Sequence, residues 1–276
     1  MMKGIDVAKW NGVIDWAKVK KAGVEFAVLK VIDKSNKTES SFVRNYAEAS
    51  AQGLLLDVYN YLYTTTEAAA REAAKAVVNA LAGRKIGKVW ADAENACLKN
   101  KGIQLIRILN TYKAVIEAAG YEFGVYTGLS FYNSYIKPYK AYIDCDFWIA
   151  RYPSTKDMTI AMDPPASKKP AICHNLWGWQ HSSRGRVPGI SGYVDMDICY
   201  TKVTSSGIVQ STTAYYPRYT GTSGSIVAAL NAVGVNSSFA NRKAIAKENG
   251  ITGYTGSAKQ NIQMLALLKS GKLKRT

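Results

Sequence analysis

The segment Lys88-Val-Trp-Ala-Asp-Ala-Glu94 runs an apolar stretch into two acids two positions apart, Asp92 and Glu94. Alternate side chains of an extended strand share a face, so both carboxyls would project one way and Ala91 and Ala93 the other. Like charges held that close do not both ionise cheaply, and one carboxyl can keep its proton near neutral pH beside an ionised neighbour. Glycosidic bond cleavage uses such a pair, one acid to protonate the leaving oxygen and one carboxylate to stabilise developing positive charge. A D-x-E alone is also what a solvated strand end looks like. The reading therefore depends on what else converges there.

The elements that would position the pair recur along the chain. Glycines precede apolar runs at Gly23, Gly53, Gly87 and Gly120, at intervals of 30, 34 and 33 residues, the length of a helix plus a strand. Each glycine is placed to close a helix before the chain turns into a strand. Between them, DWAKVKKAG, SFVRNYAEASAQG, EAAAREAAKAVVNALAG and IQLIRILNTYKAVIEAAG carry apolar residues at helical spacing. GIDV supplies a first strand, and DFWIARY, LWGWQHS and VDMDICY supply three more, separated by Pro, Ser and Gly rather than by long helices. Eight strands beginning in βα alternation predict an α/β fold, an irregular (β/α)5(β)3 TIM-like barrel, whose function would sit at the C-terminal strand ends. Those ends carry Asp6, Lys30, Asp33, Tyr59, Tyr61, Asp92, Glu94, Tyr126, Trp148, Arg151, Trp179, Gln180 and Asp195 or Asp197. Acids with tyrosines and tryptophans on one rim suit a sugar groove, because aromatic faces stack on pyranose C–H groups and acids bind hydroxyls.

Charge and composition narrow the alternatives. The 276 residues carry a formal charge of +16, which calls for an acidic partner: nucleic acid, an anionic membrane or an anionic wall polymer. Several acids on one rim would repel phosphates and argue against nucleic acid. No stretch approaches the length of a membrane span. With two histidines, His174 and His181, a zinc hydrolase would lack ligands. Cys97, Cys145, Cys173 and Cys199 show neither metal nor disulfide spacing. No metal and no cofactor are expected.

GIDVAKWNG (4–12), ADAE (91–94), GVYTG (124–128), FWIARY (147–152) and WQHSSRGRVPGISGYVDMDI (179–198) together resemble the family 25 glycoside hydrolases, N-acetylmuramidases of phage and bacterial lysis systems. The resemblance covers about residues 3 to 200 in order and implies cleavage of the β-1,4 bond between N-acetylmuramic acid and N-acetylglucosamine in peptidoglycan. Carried over, it makes Glu94 the general acid, Asp92 its neighbouring carboxylate, and Asp6 and Asp195 the other two groove acids. Asp6 and Asp195 would face one another across the groove. Tyr61, Tyr126, Trp148, Gln180 and Lys30 are the expected substrate contacts. Four positions depart from the family pattern: Asp197 stands where Asn or another polar residue is usual, Asp33 replaces the Glu of a Lys-x-x-Glu-Gly run, Asn60 a histidine, and His181 a tyrosine or phenylalanine. A chitinase-like barrel is the alternative enzyme, disfavoured because Lys88, Val89 and Trp90 stand where chitinases carry further aspartates. A non-catalytic basic glycan-binding protein is the alternative from another class. With no apolar leader in MMKGIDVAKW, the expectation is synthesis in the bacterial cytoplasm and action at the wall after release.

The remaining chain reads differently. The expected division is a barrel over 1–209, a linker over 210–222 and a mainly helical wall-binding module over 223–276. Residues 216–276 hold nine Lys or Arg and one acid, Glu248, a net of +8; the other 215 residues hold 27 and 19, also +8. Such a module would be drawn to anionic wall polymers, with Tyr215, Tyr216, Tyr219 and Tyr254 exposed for sugar stacking, or would serve oligomerisation. Ser257 and Gln260 have capping-box spacing, and Gly234, Gly250 and Gly271 stand where helices would stop.

Overall fold

Short runs rich in Val, Ile, Leu and aromatics alternate with amphipathic segments through the first 128 residues, and each run becomes a strand. A computed structural model describes residues 1–200, 215, 216, 218–233, 235 and 237–275. The chain divides into two compact units, residues 1–116 with 121–207 and residues 117–120 with 208–276. The expected boundary at 209 and linker residues 210–214 lie outside the described residues.

The first unit is a closed barrel, β1-β2-β3-β4-β5-β6-β7-β8. Its elements are β1 (Met2–Val7), α1 (Trp16–Lys21), β2 (Phe26–Lys30), α2 (Phe42–Ala51), β3 (Leu55–Tyr61), α3 (Glu67–Leu81), β4 (Lys88–Asp92), α4 (Ile103–Ala118), β5 (Glu122–Gly128), the single turn α5 (Leu129–Phe131), β6 (Asp146–Ala150), β7 (Leu176–Gly185) and β8 (Val194–Cys199). The sequence predicts crossover helices after each of the first five strands, and four form, the first of them only six residues long. The fifth crossover is a series of short helical turns, Leu129–Phe131, Tyr132–Ile136 and Lys137–Tyr142, the last of them kinked where Tyr139 leaves helical dihedrals. Gly23, Gly53 and Gly120 hold positive φ at helix ends. Gly87 does not. Ala82 and Gly83 take the left-handed positions after α3.

Pairing is parallel from β1 through β7, but β8 is antiparallel to both β7 and β1. The short 186–193 connection is a hairpin loop and cannot make the crossover that a parallel strand needs. The top of the barrel therefore meets the start of β8, not its end. That reverses the expectation that function lies at the C-terminal end of every strand and still brings Asp195 to the rim.

Large aromatic side chains plug the interior: Phe26, Trp90, Tyr126, Trp148 and Trp177 cluster with Val28 and Cys199. Inward glycines make room for them. A Cβ on Gly4 would lie 2.4 Å from the Phe26 ring, and one on Gly124 would lie 2.2 Å from the Trp90 indole. Each of two indoles also gives its N–H to a buried carboxylate, Trp90 to Asp57 Oδ2 and Trp148 to Asp197 Oδ1, both at 2.8 Å.

The second unit holds α6 (Ile226–Ala232), α7 (Phe239–Glu248) and α8 (Ala258–Lys269), opened by Ser225, Ser238 and Ser257. Ser257 and Gln260 form the expected capping box, and Gly250 and Gly271 have positive φ. Gly234 is outside the described residues. Ile226, Leu230, Ile245, Met264, Leu268 and Leu273 are among the core. Tyr254 belongs to that core rather than to an exposed face, and Tyr216 and Tyr219 pack against it.

Because Trp90 is buried and tied to Asp57, it has nowhere to move when Gly124 gains a methyl. Gly124→Ala is expected to destabilise the barrel by about 3 kcal/mol, the upper range for overpacking. Thermal unfolding of the two proteins checks this; an unchanged midpoint would mean that the plug is loosely packed.

Candidate active site

Strand parity sends one set of side chains inward. In register around the barrel these are Asp6, Lys30, Tyr59, Tyr61, Trp90, Asp92, Tyr126, Trp148, Gln180, Asp195 and Asp197. β4 ends at Asp92, so Glu94 stands two residues past the strand. It keeps its place because Ala93 is clamped to β5: its N–H donates to Tyr126 O at 2.8 Å, and its carbonyl accepts from Thr127 Oγ1 at 2.7 Å. Glu94 borders an open recess of about 640 Å³ whose wall includes Gly128, Ser130, Asn133, Arg151 and Tyr152.

The acids separate by depth. Asp6, Asp92 and Asp197 are buried, whereas Glu94 and Asp195 are half-buried. Burial pushes the Glu94 carboxyl above its ordinary range. Asp92 lies well above its range through burial and then the charge of Glu94, with Lys30 pulling the other way. Asp195 is pushed up to about 6 by burial and by Glu94. Asp6 and Asp195 are not opposed across the groove, as the closing of first strand on last suggested. They are direct partners in the antiparallel β1–β8 ladder, side by side on one wall.

One rung deeper on β8, Asp197 is buried beside Asp6; its Oδ1 accepts from Trp148 and its buried Oδ2 meets no donor among the described residues. Two buried carboxyls this close do not both ionise cheaply, which favours keeping one proton between them. Burial first, and the neighbouring carboxyls second, hold both well above the ordinary range. Gln180 fixes the orientation. Its Nε2 donates to Asp6 Oδ2 at 2.6 Å, and its Oε1 accepts from Tyr126 at 2.8 Å and from Tyr152.

Several expected substrate contacts lie deeper than expected. Trp148 is 1% exposed and Gln180 2%; Trp148 is part of the plug, and Gln180 is a brace behind Asp6. Tyr126 is also buried and spends its hydroxyl on Gln180. Parity gives their direction but not their depth. Tyr61 and Lys30 do reach the rim: Lys30 Nζ is 5.8 Å from both the Tyr59 and Tyr61 ring centroids, and Tyr61 lies 4.9 Å from Tyr63. Asp33 is no groove acid, because its Oδ1 accepts from the Ser35 and Lys37 N–H groups and closes a turn. Asn60 faces away from the barrel interior and donates to Tyr112 of α4 at 3.2 Å. His181 is likewise buried, near Trp179.

Sequence reasoning missed two rim aromatics, Trp10 and Tyr152, exposed by 82% and 48%. Both lie within segments already singled out, and both stand two or three residues past the C-terminal end of a barrel strand, which is the signal that could have found them. It also missed Asp57, whose carboxyl burial raises to about 6 and which accepts from Trp90 and the Lys88 N–H. Among the described residues no cluster of His, Cys, Asp or Glu could hold a metal ion.

A carboxyl whose folded pKa is raised binds its proton more tightly folded than unfolded, so the fold loses stability as pH rises through that range. Asparagine at 197 can accept from Trp148 and donate to Asp6 without titrating. Asp197→Asn is expected to raise the melting temperature near pH 8, with the gain fading as pH falls to ~4, the ordinary carboxylate range. A wild type more stable than the variant near pH 8 would contradict a shared proton.

Similarity to other proteins follows this geometry. Residues 5–190 match the model of glycosyl hydrolases family 25. The autolytic lysozyme of Clostridium acetobutylicum is 28% identical over 200 residues, 71% of this chain and 55% of that protein. The Escherichia coli protein YegX is 26% identical over 201 residues, 71% of this chain and 68% of that protein. The catalytic domain of endolysin ply40 from bacteriophage P40 of Listeria monocytogenes shares the fold, with a TM-score of 0.59 at 22% identity over 74% of this chain and 95% of that one. The family match takes in the barrel from β1 to the loop before β8 and replaces the chitinase-like alternative. The chain belongs to the glycosyl hydrolases of family 25.

Proposed function

We propose that the barrel cleaves the β-1,4 bond between N-acetylmuramic acid and N-acetylglucosamine in peptidoglycan, and that the chain acts as a bacteriolytic endolysin. The observation that carries this is Glu94: a half-buried carboxyl held above its ordinary range by burial, open to a recess, with Asp92 and Asp195 near enough to feel its charge. The names of the autolytic lysozyme and of the phage endolysin domain support the same substrate.

In this reading Glu94 donates its proton to the leaving glycosidic oxygen. Asp92, held above its ordinary range by burial and the Glu94 charge against the pull of Lys30, accepts through a carboxyl oxygen from the N–H of the substrate's 2-acetamido group. The acetamido oxygen then attacks the anomeric carbon, so no covalent bond to the enzyme forms. Asp195, with Asp6 beside it, places negative charge near the oxocarbenium-like centre and fixes a hydroxyl or water. Trp10, Tyr61 and Tyr63 offer ring faces to the glycan along the rim. The basic second unit holds the enzyme to an anionic wall, so repeated encounters become nearly intramolecular.

The test is to digest purified peptidoglycan, reduce the products with borohydride and identify the new sugar alcohol by mass spectrometry. Muramitol is expected; glucosaminitol would place the cut at the other bond. Glu94→Gln is expected to fold normally and to lose on the order of a thousandfold in kcat, within the range for general acid catalysis. Near-normal turnover by that variant would reject Glu94 as the acid.

A further inference from the structure

The second unit contains a cavity that catalysis does not use. On one side α7 presents Lys243, Ala244 and Lys247, and on the other the chain from Ile251 to Thr255 closes it. The cavity holds about 730 Å³, the size of a small-ligand site. Residues 243 and 247 are four apart, so both ammonium groups flank the same opening with Ala244 between them. Ile251 and Tyr254 are buried and form an apolar floor.

The walls are braced. Tyr254 donates its hydroxyl to Asn261 Oδ1 and accepts from Arg242 at 2.9 Å. Gln260 of α8 takes the Thr255 N–H on its Oε1 and gives its Nε2 to Gly253 O, both at 3.0 Å. Gly253 holds φ at +59°, a conformation that favours glycine. The site is thus set on two helix-anchored walls rather than on a free loop. Neither lysine forms an ion pair with any described residue, and Glu248 is the one acid among residues 216–276.

Two unneutralised cations above a floor of small apolar and aromatic surface select a ligand that is acidic at its edge and carries methyl groups. We infer that this cavity binds the acidic, alanine-bearing stem peptide that peptidoglycan carries on its muramic acid residues. The inference rests on peptidoglycan being the polymer on which the barrel acts. A polyol phosphate would satisfy the lysines but leave the floor uncovered by apolar groups, and a neutral sugar would leave the lysines unpaired. Binding the peptide rather than the sugar chain leaves the glycan free for the barrel groove, so one strand can be held and cut at once.

The test uses the full-length protein and the sugar-free tetrapeptide L-Ala-γ-D-Glu-L-Lys-D-Ala, followed by amide NMR. Shifts are expected at Lys243, Lys247, Gly253 and Tyr254. Joint replacement of Lys243 and Lys247 by Ala is expected to weaken binding about tenfold or more, a loss of at least one factor of ten in Kd. The matching Arg pair should retain it, and Ala244→Phe, which fills the opening from an exposed helix position, should abolish it. All three variants should release reducing sugar from soluble glycan as the wild type does. The inference is overturned if the peptide causes no shifts there, if the Ala pair binds as well as wild type, or if oligomeric ribitol phosphate shifts these amides and the peptide does not. A wild type that binds the peptide but releases no reducing sugar would sink the proposed barrel chemistry alone, because the titration needs no turnover.

Discussion

Burying carboxyls is costly, and this barrel buries several within one ring. Three of its inward acids, Asp6, Asp92 and Asp197, are nearly inaccessible, and among the described residues Lys30 is the one cation that lowers Asp92. In a low-dielectric interior so few cations cannot balance so much negative charge, so protons must. The rest of the site follows from which carboxyls burial holds above their ordinary range: Asp6 and Asp197 together, Asp92 on β4, and Glu94 at the open edge. The plug beneath works the other way, since Trp90 and Trp148 each give an indole N–H to a buried acid and so favour its ionised form.

The fold supplies the placement. Parallel strands bring Asp6 and Asp92 to one end, and the antiparallel β8 brings Asp195 and Asp197 to that end from the opposite chain direction. Reversal of a single strand thus sets two acids beside Asp6 instead of across from it. Gln180 reads that arrangement through three hydrogen bonds, to Asp6, Tyr126 and Tyr152. It can satisfy all three with a single amide orientation because its nitrogen meets the carboxylate and its oxygen meets the hydroxyls.

Much of this was legible from residue spacing. The repeated Gly-led apolar runs disclosed the barrel and its strand count, because a helix-plus-strand period leaves few other architectures. Asp92 and Glu94 were readable from strand parity, although Glu94 sits past the strand and is held by Ala93. The burial of Trp148 and the brace role of Gln180 were not readable, because parity fixes direction and only three-dimensional closure fixes depth. The pairing of Asp6 with Asp197 spans nearly the whole barrel sequence, and no local pattern records it. Gly87 looked like a helix cap, yet the turn used Ala82 and Gly83, because α3 ended earlier than the spacing implied.

The central claim is that protons, not cations, neutralise this ring. Carbon-13 NMR titration of the Asp and Glu carboxyl carbons in the intact protein, assigned with single Asn and Gln variants, measures it directly. Glu94 is expected to titrate above the ordinary glutamic acid value of about 4.3, and the Asp6 and Asp197 carbons should show one shared proton persisting to near neutral pH. Ordinary titration of Glu94, with Asp6 and Asp197 both ionised by about pH 5, just above the ordinary aspartate value, would contradict the account.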